Sequence, residues 1–289
     1  MDQDKQADFA RWCTTVLQLG RTFLQELQDG DRIIHEGAGF GDLKNDTEIK
    51  ADRELGLFLR DQLRRREPVS RISVEGLPDE MVDAFEGHPL WVTVDPLDGS
   101  LNHRTRRGTI GLPHTSCLTA LKVTAEPFLF NQIVVGCVVD HRSGDWWRAF
   151  RLGDEPFVTW CNGELARTHP DTKLDLGKHI VIGEMYYSTN RDRLIRAFVG
   201  ERGNLRNPGS AAYEMALVAS GTAIAFICDR QKQHELGAGY ALVKGAGGVA
   251  LDWDGKDLAT REYTLNTQTP VILAANLAIA DQILERLHR

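Results

Sequence analysis

The chain has 289 residues, 42% hydrophobic and 26% charged, the balance of an ordinary globular protein with a large core. A net charge of -7 argues against nucleic acid as a partner and for a divalent cation as intermediary to anionic substrates. The polar start, the lack of a membrane-length apolar run and scattered cysteines (Cys13, Cys117, Cys137, Cys161, Cys228) predict a cytoplasmic protein without a membrane partner.

Phe9, Trp12, Val16, Phe23, Leu24 and Leu27 recur at helical spacing, with Gly30 as a stop. Residues 35–46 are Gly-rich and polar and read as a loop. A second helix is predicted from about Ala51 to Arg65, with Leu55, Phe58, Leu59 and Leu63 buried and Asp52 in its first turn. Its basic tail, Arg64 to Arg66, suits the negative end of the helix dipole. Arg71 to Gly76 follows and carries Glu75. Glu80 reads as a solvated loop residue.

The apolar run Leu90 to Val94 predicts a strand aimed into Asp95-Pro96-Leu97-Asp98-Gly99-Ser100-Leu101-Asn102. Pro96 lacks a donor and is expected to stop that strand, and Gly99-Ser100 to open a helix. Two carboxylates at one corner suit a hard cation, and free N–H groups of Gly99, Ser100 and Leu101 suit an anion. On spacing alone, a capped turn with two solvated aspartates fits equally well.

His103 to Gly108 reads as a basic surface loop, in which Arg104, Arg106 or Arg107 could grip a second anionic group. Strands are predicted over Thr115 to Val123, Ile133 to Val139 and Trp146 to Phe150, the last two joined by a turn-rich hairpin. Ile180 to Gly183 reads as a strand leading to Tyr186 and Tyr187, which could line a pocket. Ser210 is expected to cap a helix starting near Ala211. Gly221 ends that helix, and Thr222 to Cys228 is a compact apolar strand followed by Asp229. A helix over 235–246, a strand over Val271 to Ala274 and a helix from about Asn276 to Leu287 complete an α/β alternation. No linker separates domains, although approximate halves 1–155 and 156–289 are expected.

Asp95-Pro96-Leu97-Asp98-Gly99-Ser100 behind a hydrophobic strand resembles the first signature of the inositol monophosphatase family, within the lithium-sensitive, magnesium-dependent phosphatase superfamily. The second signature, Trp-Asp-x-Ala-Ala-Gly, corresponds to His234-Glu235-Leu236-Gly237-Ala238-Gly239. The resemblance implies a layered α-β-α-β-α sandwich of the inositol monophosphatase and fructose bisphosphatase type. It also implies a homodimer and a small phosphorylated substrate with a sugar, cyclitol or nucleoside moiety.

It further implies two or three Mg²⁺ ions held by Glu75, Asp95, Asp98, Glu235 and the carbonyl of Leu97. Asp52 and Ser100, with Glu75, would activate water. Gly99, Ser100 and Leu101 would hold phosphate, and Gly209, Ala211, Asp229 and Lys232 would face the alcohol portion. The chain departs from the pattern at Val74-Glu75-Gly76, where Glu-Glu is usual; at Glu235, where Asp is usual; at His234, where Trp is usual; and after Asn102, where the loop is wider than usual. These departures favour a substrate other than free inositol phosphate, and they also suit a member that has lost turnover and acts as a binding or regulatory protein.

Overall fold

A computed structural model of the chain describes residues 3–28, 33–36, 47–82, 89–105, 111–123, 126–185, 188–199 and 204–289. The elements begin with α1 (Gln3–Glu26), β1 (Ile33–Glu36), β2 (Thr47–Ile49), α2 (Lys50–Leu63), β3 (Val69–Val74) and β4 (Glu80–Met81). Then come β5 (Leu90–Asp98), α3 (Ser100–Thr105), β6 (Thr115–Lys122), β7 (Ile133–Asp140), β8 (Trp146–Phe150), β9 (Val158–Cys161) and β10 (Glu164–Leu165). The remainder is β11 (Ile180–Gly183), α4 (Arg191–Val199), β12 (Asn204–Arg206), α5 (Ala211–Ala219), β13 (Ala225–Lys232), α6 (Gln233–Gly245), β14 (Val249–Leu251), β15 (Gln268–Ala274) and α7 (Leu277–Leu287).

Phe9, Cys13, Val16, Leu17 and Leu24 line one face of α1, and Leu55, Leu59 and Leu63 line α2. Both stripes pack with Ile72, Val92, Val94, Leu118, Val135 and Val139 from one face of a sheet ordered β10-β9-β8-β7-β6-β5-β3-β4. Its β3–β5 pair is parallel, and β5 through β10 pair antiparallel. The opposite face carries Trp91, Cys117, Leu121, Val138 and Trp147, which meet Met215 of α5 and Leu236, Tyr240 and Leu242 of α6. Beyond these helices lies a second sheet, β12-β11-β13-β15-β14, covered outside by Leu194 and Phe198 of α4 and Ile279 and Ile283 of α7. The layers run α, β, α, β, α as expected. Strands β9 and β10, which lie past residue 155, extend the large sheet.

Apolar periodicity explains the outer helices, whose other faces meet water. Helix α6 is different, because nearly all its residues are buried between the two sheets. Close approach there depends on small residues: a Cβ on Gly136 of β7 would fall 2.8 Å from Ala241 Cβ and 2.9 Å from the Ala238 carbonyl oxygen. One on Gly237 would fall 2.6 Å from Thr119 Oγ1.

Pro96 does not stop its strand. Strand β5 runs on to Asp98 through a bulge, with Asp95 opposite Cys117 and Asp98 opposite Thr115. Three steps on β5 match two on β6, so Pro96 sits where the ladder needs no donor. The Pro96 carbonyl accepts from Ser116 Oγ at 2.6 Å.

Residues 35 and 36, read as loop, belong to β1, and His103 to Thr105 form the end of α3. Arg104 is exposed there; Arg106, Arg107, Tyr186, Tyr187 and Gly30 lie outside the described residues. The basic tail of α2 is engaged in surface pairs, Arg64 and Arg65 with Asp61 and Arg66 with Asp8.

Candidate active site

Three carboxylates converge at the edge of the central helix layer. Glu75 follows β3, and its N–H donates to the Val94 carbonyl at 2.9 Å, which sets it beside β5. Asp95 is buried in the β5 bulge, where its Oδ1 accepts the Leu97 N–H at 2.9 Å. Glu235 is buried in the first turn of α6. One oxygen from each lies within 4.8 Å of the others. The extra methylene of Glu235 therefore does not carry its carboxylate out of the cluster.

Tyr263 fixes the helix against the strand. Its hydroxyl donates to the Gln233 carbonyl at 2.9 Å and lies 2.8 Å from Thr93 Oγ1, two residues before Asp95. Gln233 adds contacts from its amide to Thr269 Oγ1 at 2.9 Å and from the Thr264 N–H to its Oε1 at 2.6 Å. Nothing local in the sequence points to Tyr263, whose partners come from β5 and α6.

The electrostatics divide these carboxylates. Burial pushes Asp95 well above the usual carboxylate range, reinforced by Glu75, Glu235 and Asp98. Burial does the same to Glu235, with Glu75 adding to it. Burial would also raise Glu75, but the Lys232 ammonium and its hydrogen bond, together with His234 and a hydrogen bond from Asp95, outweigh it and hold that carboxyl at about 2. Lys232 Nζ stands 2.8 Å from Glu75 Oε1, with 16% of the lysine side chain and 21% of the glutamate exposed. Burial lowers the pKa of His234, which favours the neutral imidazole beside the cluster, while Glu75 opposes the shift.

Asp98 turns toward α5. Its Oδ2 accepts from Ser210 Oγ and from the Ala212 N–H, both at 2.7 Å, and from Thr115 Oγ1 at 3.4 Å. The expected cap is thus corrected: the Ser210 hydroxyl serves Asp98, and the aspartate satisfies the helix start from across the site. Burial raises the Asp98 pKa, and these hydrogen bonds oppose the rise. The tips of α3 and α5 nearly touch, since a Cβ on Gly99 (φ +83°) would meet the Gly209 carbonyl oxygen at 3.0 Å. Asn102 binds the two tips together, its amide donating to the Pro113 and Pro208 carbonyls at 2.7 and 2.8 Å.

Other predicted residues fall as follows. Ser100 opens α3, Leu101 is exposed and Ala211 opens α5. Gly209 donates its N–H to Glu214 Oε1 at 2.7 Å. Asp52 Oδ2 accepts the Ile49 N–H at 3.0 Å, the contact of a carboxylate at a helix start. Asp229 Oδ2 accepts the N–H groups of Thr189 and Asn190 at 3.0 and 3.1 Å, so this aspartate holds a turn. Lys232, expected to face substrate, points its ammonium at Glu75. Glu80 pairs with Arg60 at 3.2 Å.

Residues 13–289 match the family model described as the inositol monophosphatase family. The chain belongs to that family. It is 25% identical over 236 residues to an inositol-1-monophosphatase of Rhizobium meliloti, covering 75% of this chain and 79% of the relative. It is also 25% identical over 247 residues to the Nus factor SuhB of Escherichia coli, covering 85% and 86% of the two chains. Among solved structures, an IMPase of Thermotoga maritima superposes with a TM-score of 0.73 at 21% identity, over 97% of both chains. The layered architecture is that of the inositol monophosphatase type.

The residues present fit the metal dependence known in the family. All three clustered donors are hard carboxylate oxygens, and Glu235 Oε2 is buried without a hydrogen-bond partner. A second grouping, His169, Asp171 and His179, does not fit an ion as well. His179 Nδ1 accepts the Asp175 N–H at 3.0 Å, which leaves the proton on Nε2, 2.9 Å from Asp171 Oδ2. That arrangement is a hydrogen-bonded clasp in which His179 keeps no lone pair for a metal.

Proposed function

We propose that the chain is a magnesium-dependent phosphomonoester hydrolase acting on a small hydroxylated substrate, a sugar, cyclitol or nucleoside phosphate. The convergence of Glu75, Asp95 and Glu235 carries this reading, since three carboxylates so close, two of them buried, call for a cation. Asp95 and Glu235, with Glu75 and the Leu97 carbonyl, would hold the ion; Asp98, with one oxygen committed to α5, would contribute from the side. A divalent cation there supplies charge at the reacting phosphate and lowers the pKa of water.

The chain's own groups do the rest. The first-turn N–H groups of Gly99, Ser100 and Leu101 would receive phosphate oxygens. Ser100 and Asp52 would orient the attacking water. Gly209 and Ala211, at the α5 tip beside Gly99, would form the wall that meets the alcohol portion.

The test is phosphate release from a panel of such esters, with Mg²⁺ and with chelator, by wild type and Asp95→Asn. Release that needs Mg²⁺ and falls roughly 100-fold or more in the variant is expected. Retained turnover in Asp95→Asn discards this metal arrangement. A second reading, binding or regulation without turnover, is favoured by the Lys232–Glu75 pair and by similarity to a protein named as a Nus factor. Release from no ester on the panel would select it.

A further inference from the structure

The cluster already holds one cation of its own. Lys232 is the last residue of β13, immediately before α6, and β13 carries a bulge against β15 between Cys228 and Gln231. That irregularity and the Gln233 contacts to Tyr263, Thr264 and Thr269 fix where the strand ends and the helix begins. The ammonium consequently enters the site from the same corner as Glu235 and reaches Glu75 Oε1 at 2.8 Å. Its charge acts on Asp95 and Glu235 as well as on Glu75.

We propose that Lys232 is an internal competitor for the divalent ion: its ammonium occupies Glu75 Oε1 on that side of the cluster and must leave this oxygen for the metal to take it. This rests on the reading of Glu75, Asp95 and Glu235 as a metal site. An ammonium and a divalent ion cannot both neutralise the same carboxylate oxygen at contact distance without repelling each other. The consequence is a weak, displaceable metal site whose affinity is set by one side chain 16% exposed to solvent. Lysine suits this role because its charge sits on a flexible stem that can swing aside.

Manganese serves as the probe, titrated into the metal-free full chain and read by the loss of its free-ion electron paramagnetic resonance signal. Wild type, Lys232→Gln, Lys232→Arg and Asp95→Asn are compared, with far-ultraviolet circular dichroism to establish that each is folded. Lys232→Gln should bind Mn²⁺ roughly 10- to 100-fold more tightly than wild type, and Lys232→Arg should bind it no more tightly than wild type. Equal affinity in wild type and Lys232→Gln, or weaker binding in Lys232→Gln, overturns the competitor role while leaving the metal site standing if Asp95→Asn still loses binding. Absence of Mn²⁺ binding in every protein overturns the metal site and this inference together. If Lys232→Gln does not fold, wild type against Lys232→Arg decides: the guanidinium's bidentate grip on Glu75 should weaken Mn²⁺ binding or leave it level, and tighter binding in Lys232→Arg overturns the proposal.

Discussion

Asp95 and Asp98 stand three residues apart in one motif, yet the bulge aims them at different tasks. Asp98 accepts two 2.7 Å hydrogen bonds that begin α5, so removing its acceptor oxygen should cost stability whether or not metal is present. Asp98→Ala should lose about 1–3 kcal/mol in urea denaturation with chelator, the scale of buried donors left without their acceptor. Asp95→Asn should behave oppositely. Its carboxyl already favours the proton, and an Asn oxygen can still accept the Leu97 N–H, so the metal-free fold should be as stable as wild type or more so. Loss of the Mg²⁺-induced gain in stability should accompany that, and a large destabilisation of metal-free Asp95→Asn would refute this account. The sequence shows both aspartates and the apolar strand before them. It does not show which way each faces, because Pro96 shifts the register and that shift depends on pairing with Cys117 and Thr115 across the sheet.

Helix α6 joins packing to chemistry, since Glu235 lies in its first turn and Gly136 lies beneath its middle. A methyl at Gly136 would meet helix backbone at 2.9 Å and 3.1 Å, atoms that cannot rotate away. Gly136→Ala should therefore lift α6 from β7, costing about 1–3 kcal/mol, and should also weaken Mn²⁺ binding because Glu235 moves with the helix. Denaturation and metal titration on the same preparation check both halves, and a destabilised variant with unchanged metal affinity would uncouple them. The outer helices α1, α2 and α7 were readable from apolar periodicity because each has a wet face. Helix α6 is buried all round and carries no such stripe, so only its glycines and the degenerate signature mark it. The contacts that orient it, Tyr263 to Thr93 and Lys232 to Glu75, span long stretches of chain and leave no local pattern to read.

Over the whole molecule, the charge pattern would tie fold stability to a cation bound at the cluster. The raised pKa values of Asp95 and Glu235 mean that the folded, metal-free protein holds protons which the unfolded chain releases above about pH 4. Where the folded state binds more protons, stability falls as pH rises, so these two groups penalise the metal-free fold increasingly from about pH 4 up to their raised values. Glu75, held at about 2 chiefly by Lys232, has the opposite sign: its stabilisation is complete above the unfolded value near 4 and is lost as pH falls toward 2. As pH rises above about 4, a cation bound there would replace protons that burial otherwise favours. A ligand that binds only the folded state stabilises it by mass action, and weaker competition from protons makes that binding tighter. The rise in melting temperature on replacing chelator with millimolar Mg²⁺ should therefore be larger at pH 8 than at pH 5, and nearly absent at both in Asp95→Asn. An equal rise at the two pH values, or one that survives in Asp95→Asn, would locate the stabilising ion away from these carboxylates.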